Sequence, residues 1–107
     1  MADPKSEDQL HVEYLASLAR SADSIVREEV EKSKIAYDFL EVRIIDVLRV
    51  GVMGDERSYE YPAMVDLHKD GRPVIDYELM GPIGTRIPNE VKGVNSVVWT
   101  TAKRKDE

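Results

Sequence analysis

The sequence predicts a two-layer α+β domain: an antiparallel sheet of about three to four strands with two helices on one face. Three observations predict it. Apolar residues recur at helical spacing between residues 10 and 30, the period switches to two from Leu40, and a β-branched run closes the chain after a second stretch of helical spacing. With 107 residues the chain is read as a single domain, 1–107, with residues 1–5 and 103–107 as loose tails.

The first helix opens on Ser6, with Gln9 three residues later in a capping-box pattern. Leu10, Tyr14, Leu15, Leu18, Ala22, Ile25, Val26 and Val30 then form one apolar stripe, and Glu28 and Lys32 stand at i,i+4 on the outer face. From Leu40 the even positions Leu40, Val42, Ile44, Leu48, Val50 and Val52 are apolar, broken once by Asp46. This reads as one long strand. Gly54-Asp55-Glu56-Arg57 supplies a turn, after which Tyr59, Tyr61, Ala63, Val65 and Leu67 alternate with polar neighbours in a second, antiparallel strand. Asp70-Gly71 predicts a two-residue turn, and Pro73 confines the return to a sheet edge.

Met80, Ile83, Ile87 and Val91 carry helical spacing, although Gly81, Pro82, Gly84 and Pro88 oppose it. The spacing predicts a helix that starts near Pro82, is distorted at Pro88 and is capped by Gly93. Val94 to Thr101, with Trp99, reads as the closing strand. Two helices on one face leave the other sheet face bare. Tyr59, Tyr61, Val97 and Trp99 are the residues expected there, as a surface for a second copy of the chain.

Composition excludes much. There is no Cys, so disulfides, thiolate metal sites and Cys nucleophiles are absent, in keeping with a reducing cytoplasm. Two His, His11 and His68, rule out a His-rich metal site, and both read as solvated surface side chains. No apolar run approaches the roughly 18 residues of a membrane span, and the first residues are too polar for a signal peptide, so the expectation is a soluble, cytoplasmic protein. The formal charge of −6 argues against nucleic acid as a partner. No nucleophile–base–acid set, phosphate loop or dinucleotide fingerprint is present, so no catalytic residue and no metal ligand is assigned. Gly81-Pro82-Ile83-Gly84 resembles the GxxG loop of KH modules and gives the alternative reading, a KH-like RNA-binding module. Pro82 lacks the amide proton that such a loop needs.

Val50-Gly51-Val52-Met53-Gly54-Asp55-Glu56-Arg57-Ser58-Tyr59-Glu60-Tyr61-Pro62 closely resembles part of the carboxy-terminal domain of glutamine-hydrolysing GMP synthase, as does the run from Thr85 to Trp99 and, more loosely, Ala22 to Lys32. The matches follow the family's order over roughly residues 18–101. The resemblance implies a two-layer dimerisation domain that joins two protomers and lends basic residues to the phosphate of xanthosine monophosphate (XMP) in GMP biosynthesis. Arg57 falls on the arginine of the family's Gly-Asp-x-Arg-x-Tyr motif, where a guanidinium suits a bidentate grip on phosphate. Lys103 or Arg104 approximates the lysine of the family's tail.

The same resemblance places the ligase chemistry elsewhere. Glutaminase and ATP pyrophosphatase steps belong to other domains or to separate subunits, and so do ATP and Mg2+; no cofactor is expected on this chain. There is no Cys and no SGGxDS-like loop, so the chain does not perform the overall reaction alone. The chain ends Ala102-Lys103-Arg104-Lys105-Asp106-Glu107 where the family has an Ile-Glu-Trp-Glu tail, so XMP binding is expected to be weak or absent.

Overall fold

Helix α1 (Glu7–Ser33) begins as its first residues dictate: the Ser6 hydroxyl accepts from Gln9 N at 3.2 Å, and the Gln9 side chain accepts from Ser6 N at 3.0 Å. Both halves of the capping box are therefore made. This computed structural model describes residues 6–53 and 56–101, with 49–53 and 56–59 described in backbone only. Five strands follow the helix in the order β1 (Phe39–Ile44), β2 (Arg49–Met53), β3 (Glu56–Lys69) and β4 (Arg72–Pro73), then helix α2 (Tyr77–Glu90) and β5 (Val94–Trp99). The architecture is the expected two-layer α+β arrangement.

Strand β3 is the hub. β1 and β2 pair antiparallel with its two halves, β4 folds back on its end, and β5 lies along residues 61–65. The β3–β5 pair is parallel, so the sheet is mixed rather than purely antiparallel. α2 supplies the crossover that a parallel neighbour requires.

The single long strand expected from Leu40 is two strands. Ile44 faces Ala63 and Arg49 faces Glu60, so four residues, 45–48, stand against two, 61 and 62. The break falls at Asp46, where the alternation fails. Such an insertion kinks a strand and frees its residues from the ladder, and Val47 and Leu48 are exposed there.

Parity along β3 sorts the two faces. Ala63, Val65 and Leu67 are fully buried beneath Leu18, Ala22, Ile25, Val26 and Val30 of α1 and Leu79, Ile83 and Ile87 of α2. Both helices thus cover one side. Leu10 and Tyr14 continue the stripe but are 54% and 46% exposed. At that end α1 passes Tyr61, where the three-stranded part of the sheet gives way to a ribbon of β2 and β3.

Asp70 and Gly71 turn the β3–β4 hairpin with φ of 54° and 76°, the two positive values this tight turn demands. α2 starts at Tyr77, not near Pro82. Asp76 is its N-cap, accepting from Glu78 N at 2.9 Å and Leu79 N at 3.2 Å, which fixes the start five residues earlier than the proline suggests. Pro82 and Pro88 both sit inside the helix. Its apolar face is completely enclosed, and that burial outweighs the lost backbone hydrogen bonds. Gly93 is not the helix cap. The cap is Val91, and Gly93, at φ 112°, turns the chain into β5.

Candidate functional site

The sheet side away from the helices holds, by register, Phe39, Glu41 and Arg43 of β1, Pro62, Met64, Asp66 and His68 of β3, and Ser96 and Val98 of β5. Central position buries more of this face than the polar alternation suggests. Asp66 is 1% and His68 7% exposed, and the His68 Nε2 meets Asp66 Oδ1 directly. The Phe39 ring stands edge-on to the imidazole at 6.0 Å. Glu41 and Arg43 pair with each other at 2.8 Å.

His68 is therefore not the solvated hairpin residue that its sequence neighbours suggest. The sequence did contain a signal: residues two apart on a strand share a face, so Asp66 and His68 fall side by side. His11 is half-buried, with its Nε2 2.9 Å from Asp46 Oδ1 and its ring 5.9 Å from Tyr61.

Tyr61, Val97 and Trp99 do not form the bare face. Tyr61 shares the parity of Ala63 and Val65, and Val97 and Trp99 stand opposite Ala63 and Val65 across β5, so all three pack against the core on the helix side. Tyr61 meets the Tyr14 ring edge-on at 6.5 Å, and Trp99 Nε1 donates to the Val74 carbonyl at 2.9 Å. Their placement on an uncovered surface is corrected by this register. The Tyr59 side chain lies outside the described residues, and its backbone faces Val50.

β2 and residues 56–60 form a two-stranded ribbon beyond the end of β5. Arg57 occupies this arm in register with Val52. Its side chain, like Lys103 and Arg104 altogether, lies outside the described residues.

The Gly81–Gly84 segment lies inside α2, with its amides committed to a helix rather than displayed in a loop. The nearest cation, Arg86, is held by three carboxylates: Glu90 at 2.6 Å, Glu29 at 2.7 Å and Glu28 at 3.5 Å. Hydrogen bonds that Arg86 donates to Glu90 and then to Glu29 raise the guanidinium pKa further above its ordinary value, and Arg86 in turn lowers those of Glu29 and Glu90. Glu28 serves Arg86 instead of Lys32, which reaches Glu29 at 3.5 Å. These contacts bind α1 to α2. The KH-like reading finds no support in this geometry.

Among the described residues, no group of three His, Cys, Asp or Glu could hold a metal ion, and no helix is long and apolar enough to cross a membrane. One-sided layering of the helices, a β-ribbon arm and a polar pair within the far face define a small α+β domain. The chain belongs to the GMP synthase C terminal domain family, whose profile matches residues 26–106. It is similar to glutamine-hydrolysing GMP synthases of Nostoc punctiforme, 38% identical over 91 residues, and Rippkaea orientalis, 41% identical over 91 residues; each alignment covers 78% of this chain and 17% of the relative. The Synechococcus sp. CC9311 protein is 42% identical over 87 residues, covering 74% of this chain and 16% of the relative. The chain therefore spans about a sixth of the length of these curated relatives.

Proposed function

We propose that the chain acts as the self-associating part of a GMP synthase, joining two copies through the sheet face away from the helices and serving GMP formation whose chemistry resides on other domains or subunits. The observation that supports this reading is the one-sided layering: both helices lie against the face bearing Ala63, Val65 and Leu67. Among the described residues, no helix lies on the opposite face, which bears Phe39, Met64 and Val98. A second copy stacked there would enclose it as one sheet encloses another. Sedimentation velocity at tens of micromolar is expected to give a dimer, and Val98→Glu a monomer with unchanged far-UV circular dichroism. A wild-type monomer at high micromolar concentration overturns the reading.

Contact with XMP is the second part of the proposal. Arg57 on the arm would engage its phosphate, with Lys103 or Arg104 assisting, and in isolation the chain is expected to bind XMP weakly, with a dissociation constant no lower than about 1 mM. Calorimetry tests this directly. Tight binding abolished by Arg57→Ala would overturn the weak-binding reading and make Arg57 a principal phosphate ligand.

A further inference from the structure

We propose that strand β1 pairs edge to edge with β1 of a second copy, antiparallel across a two-fold axis at Val42, so that the two sheets run on into one. This contact uses a different surface from the far-face pairing above and stands without it.

Among the described residues, β1 bonds to β3 alone and ends the sheet. Ile45 N donates to the Pro62 carbonyl at 2.9 Å. On the opposite edge of β3, Tyr61 N donates to the Gly93 carbonyl and the Val65 carbonyl accepts from Thr100 N, both at 3.0 Å. Even positions of β3 therefore serve β1, which answers from its odd positions, Glu41 and Arg43. Leu40, Val42 and Ile44 turn their amides and carbonyls outward. An open edge invites another strand unless proline or lysine blunts it, and Phe39–Ile44 contains neither. Beside this edge a groove of about 430 Å³ runs between Arg20, Asp23 and Arg27 of α1 and Leu40 and Val42 of β1.

The strand's own pattern names the occupant. Reversed about Val42, it sets Leu40 against Ile44, Glu41 against Arg43 and Val42 against itself. The outward amides and carbonyls then meet in donor–acceptor pairs. On the helix side, the half-buried Leu40 and Ile44 cover one another and join the two cores. On the far side, Glu41 and Arg43, which hold each other at 2.8 Å within one copy, each gain an opposite charge from the second. Sliding the strands by two residues sets Glu41 against Glu41 or Arg43 against Arg43, and sliding by one misaligns the outward amides. The favoured register is two-fold, so it closes the pair and leaves no β1 edge for a third copy.

One strand a side is a small contact, so pairing is expected at about 1 mM. The test is made in Val98→Glu, which removes the far-face contact, and small-angle X-ray scattering at that concentration is expected to give a dimer. Glu41→Arg or Arg43→Glu, added singly, is expected to weaken pairing about tenfold or more, because each sets like charges together at both crossings. An equimolar mixture of the two restores opposite charges at both crossings and is expected to regain the dimer. Hydrogen exchange on the unsubstituted chain reads the same contact: the Val42 amide is expected to slow as concentration rises to the millimolar range. Single variants that pair as well as their parent, a mixture that stays monomeric, or Val42 exchange independent of concentration overturns the proposal.

Discussion

The hydroxyl of Tyr14 stands 2.5 Å from where a β-carbon on Gly93 would have to be. Gly93 also carries φ 112°, and Leu18 methyl groups close the same space at 3.2 and 3.3 Å. Its amide donates to Glu60 Oε2 at 3.0 Å, and its carbonyl accepts from Tyr61 N at 3.0 Å. One glycine thus joins α1, β3 and the entry to β5.

Gly93→Ala is accordingly expected to destabilise the fold by about 2 kcal/mol, which for a domain of this size is a fall in Tm of roughly 10 °C. Adding Tyr14→Phe should return part of the loss, because it relieves the collision but not the left-handed backbone. Thermal melts of the two variants and of Tyr14→Phe alone measure the split. Full recovery in the double variant would show that the backbone angle costs nothing.

The start of α2 depends on one carboxylate. Asp76→Ala removes the acceptor for Glu78 N and Leu79 N and is expected to cost about 1 kcal/mol, whereas Asp76→Asn, which keeps an acceptor oxygen, should cost a few tenths. Urea denaturation midpoints for the two variants check the order.

Acid should act through the Arg86 cluster. Because Arg86 lowers the pKa of Glu29 and Glu90 in the folded chain, their contribution to stability is present above the unfolded carboxylate range near pH 4.5 and is lost as pH falls through the lower folded values. Arg86→Met is expected to flatten this part of the profile below about pH 4.5. Denaturation midpoints measured from pH 3 to pH 6 reveal it, and an unaltered acid limb in the variant would contradict the assignment.

The layers, the capping box at Ser6 and the turn at Asp70-Gly71 were readable because each follows from local chemistry: a periodic stripe, a short polar side chain facing free amides, and a pair of residues tolerant of positive φ. Other features depended on non-local partners. Pro82 and Pro88 argue against a helix until the enclosed face of Leu79, Ile83 and Ile87 is known. The parity of β5 followed from its parallel pairing with β3, and that parity moved Val97 and Trp99 to the covered side. The site was less legible than the fold. Asp66 and His68 look like solvent-facing members of an alternating strand, yet both are buried.

Among the described residues, every strand in the sheet is bonded to β3, and no two of the others pair with each other. Such wiring has no redundancy. A lesion in the middle of β3 breaks the sheet between β1 and β5 at once and leaves the two halves joined through α1 and α2, whereas a lesion in any peripheral strand removes only that strand. Tolerance to change in this domain is thus distributed like that of a wheel, generous at the rim and absent at the axle.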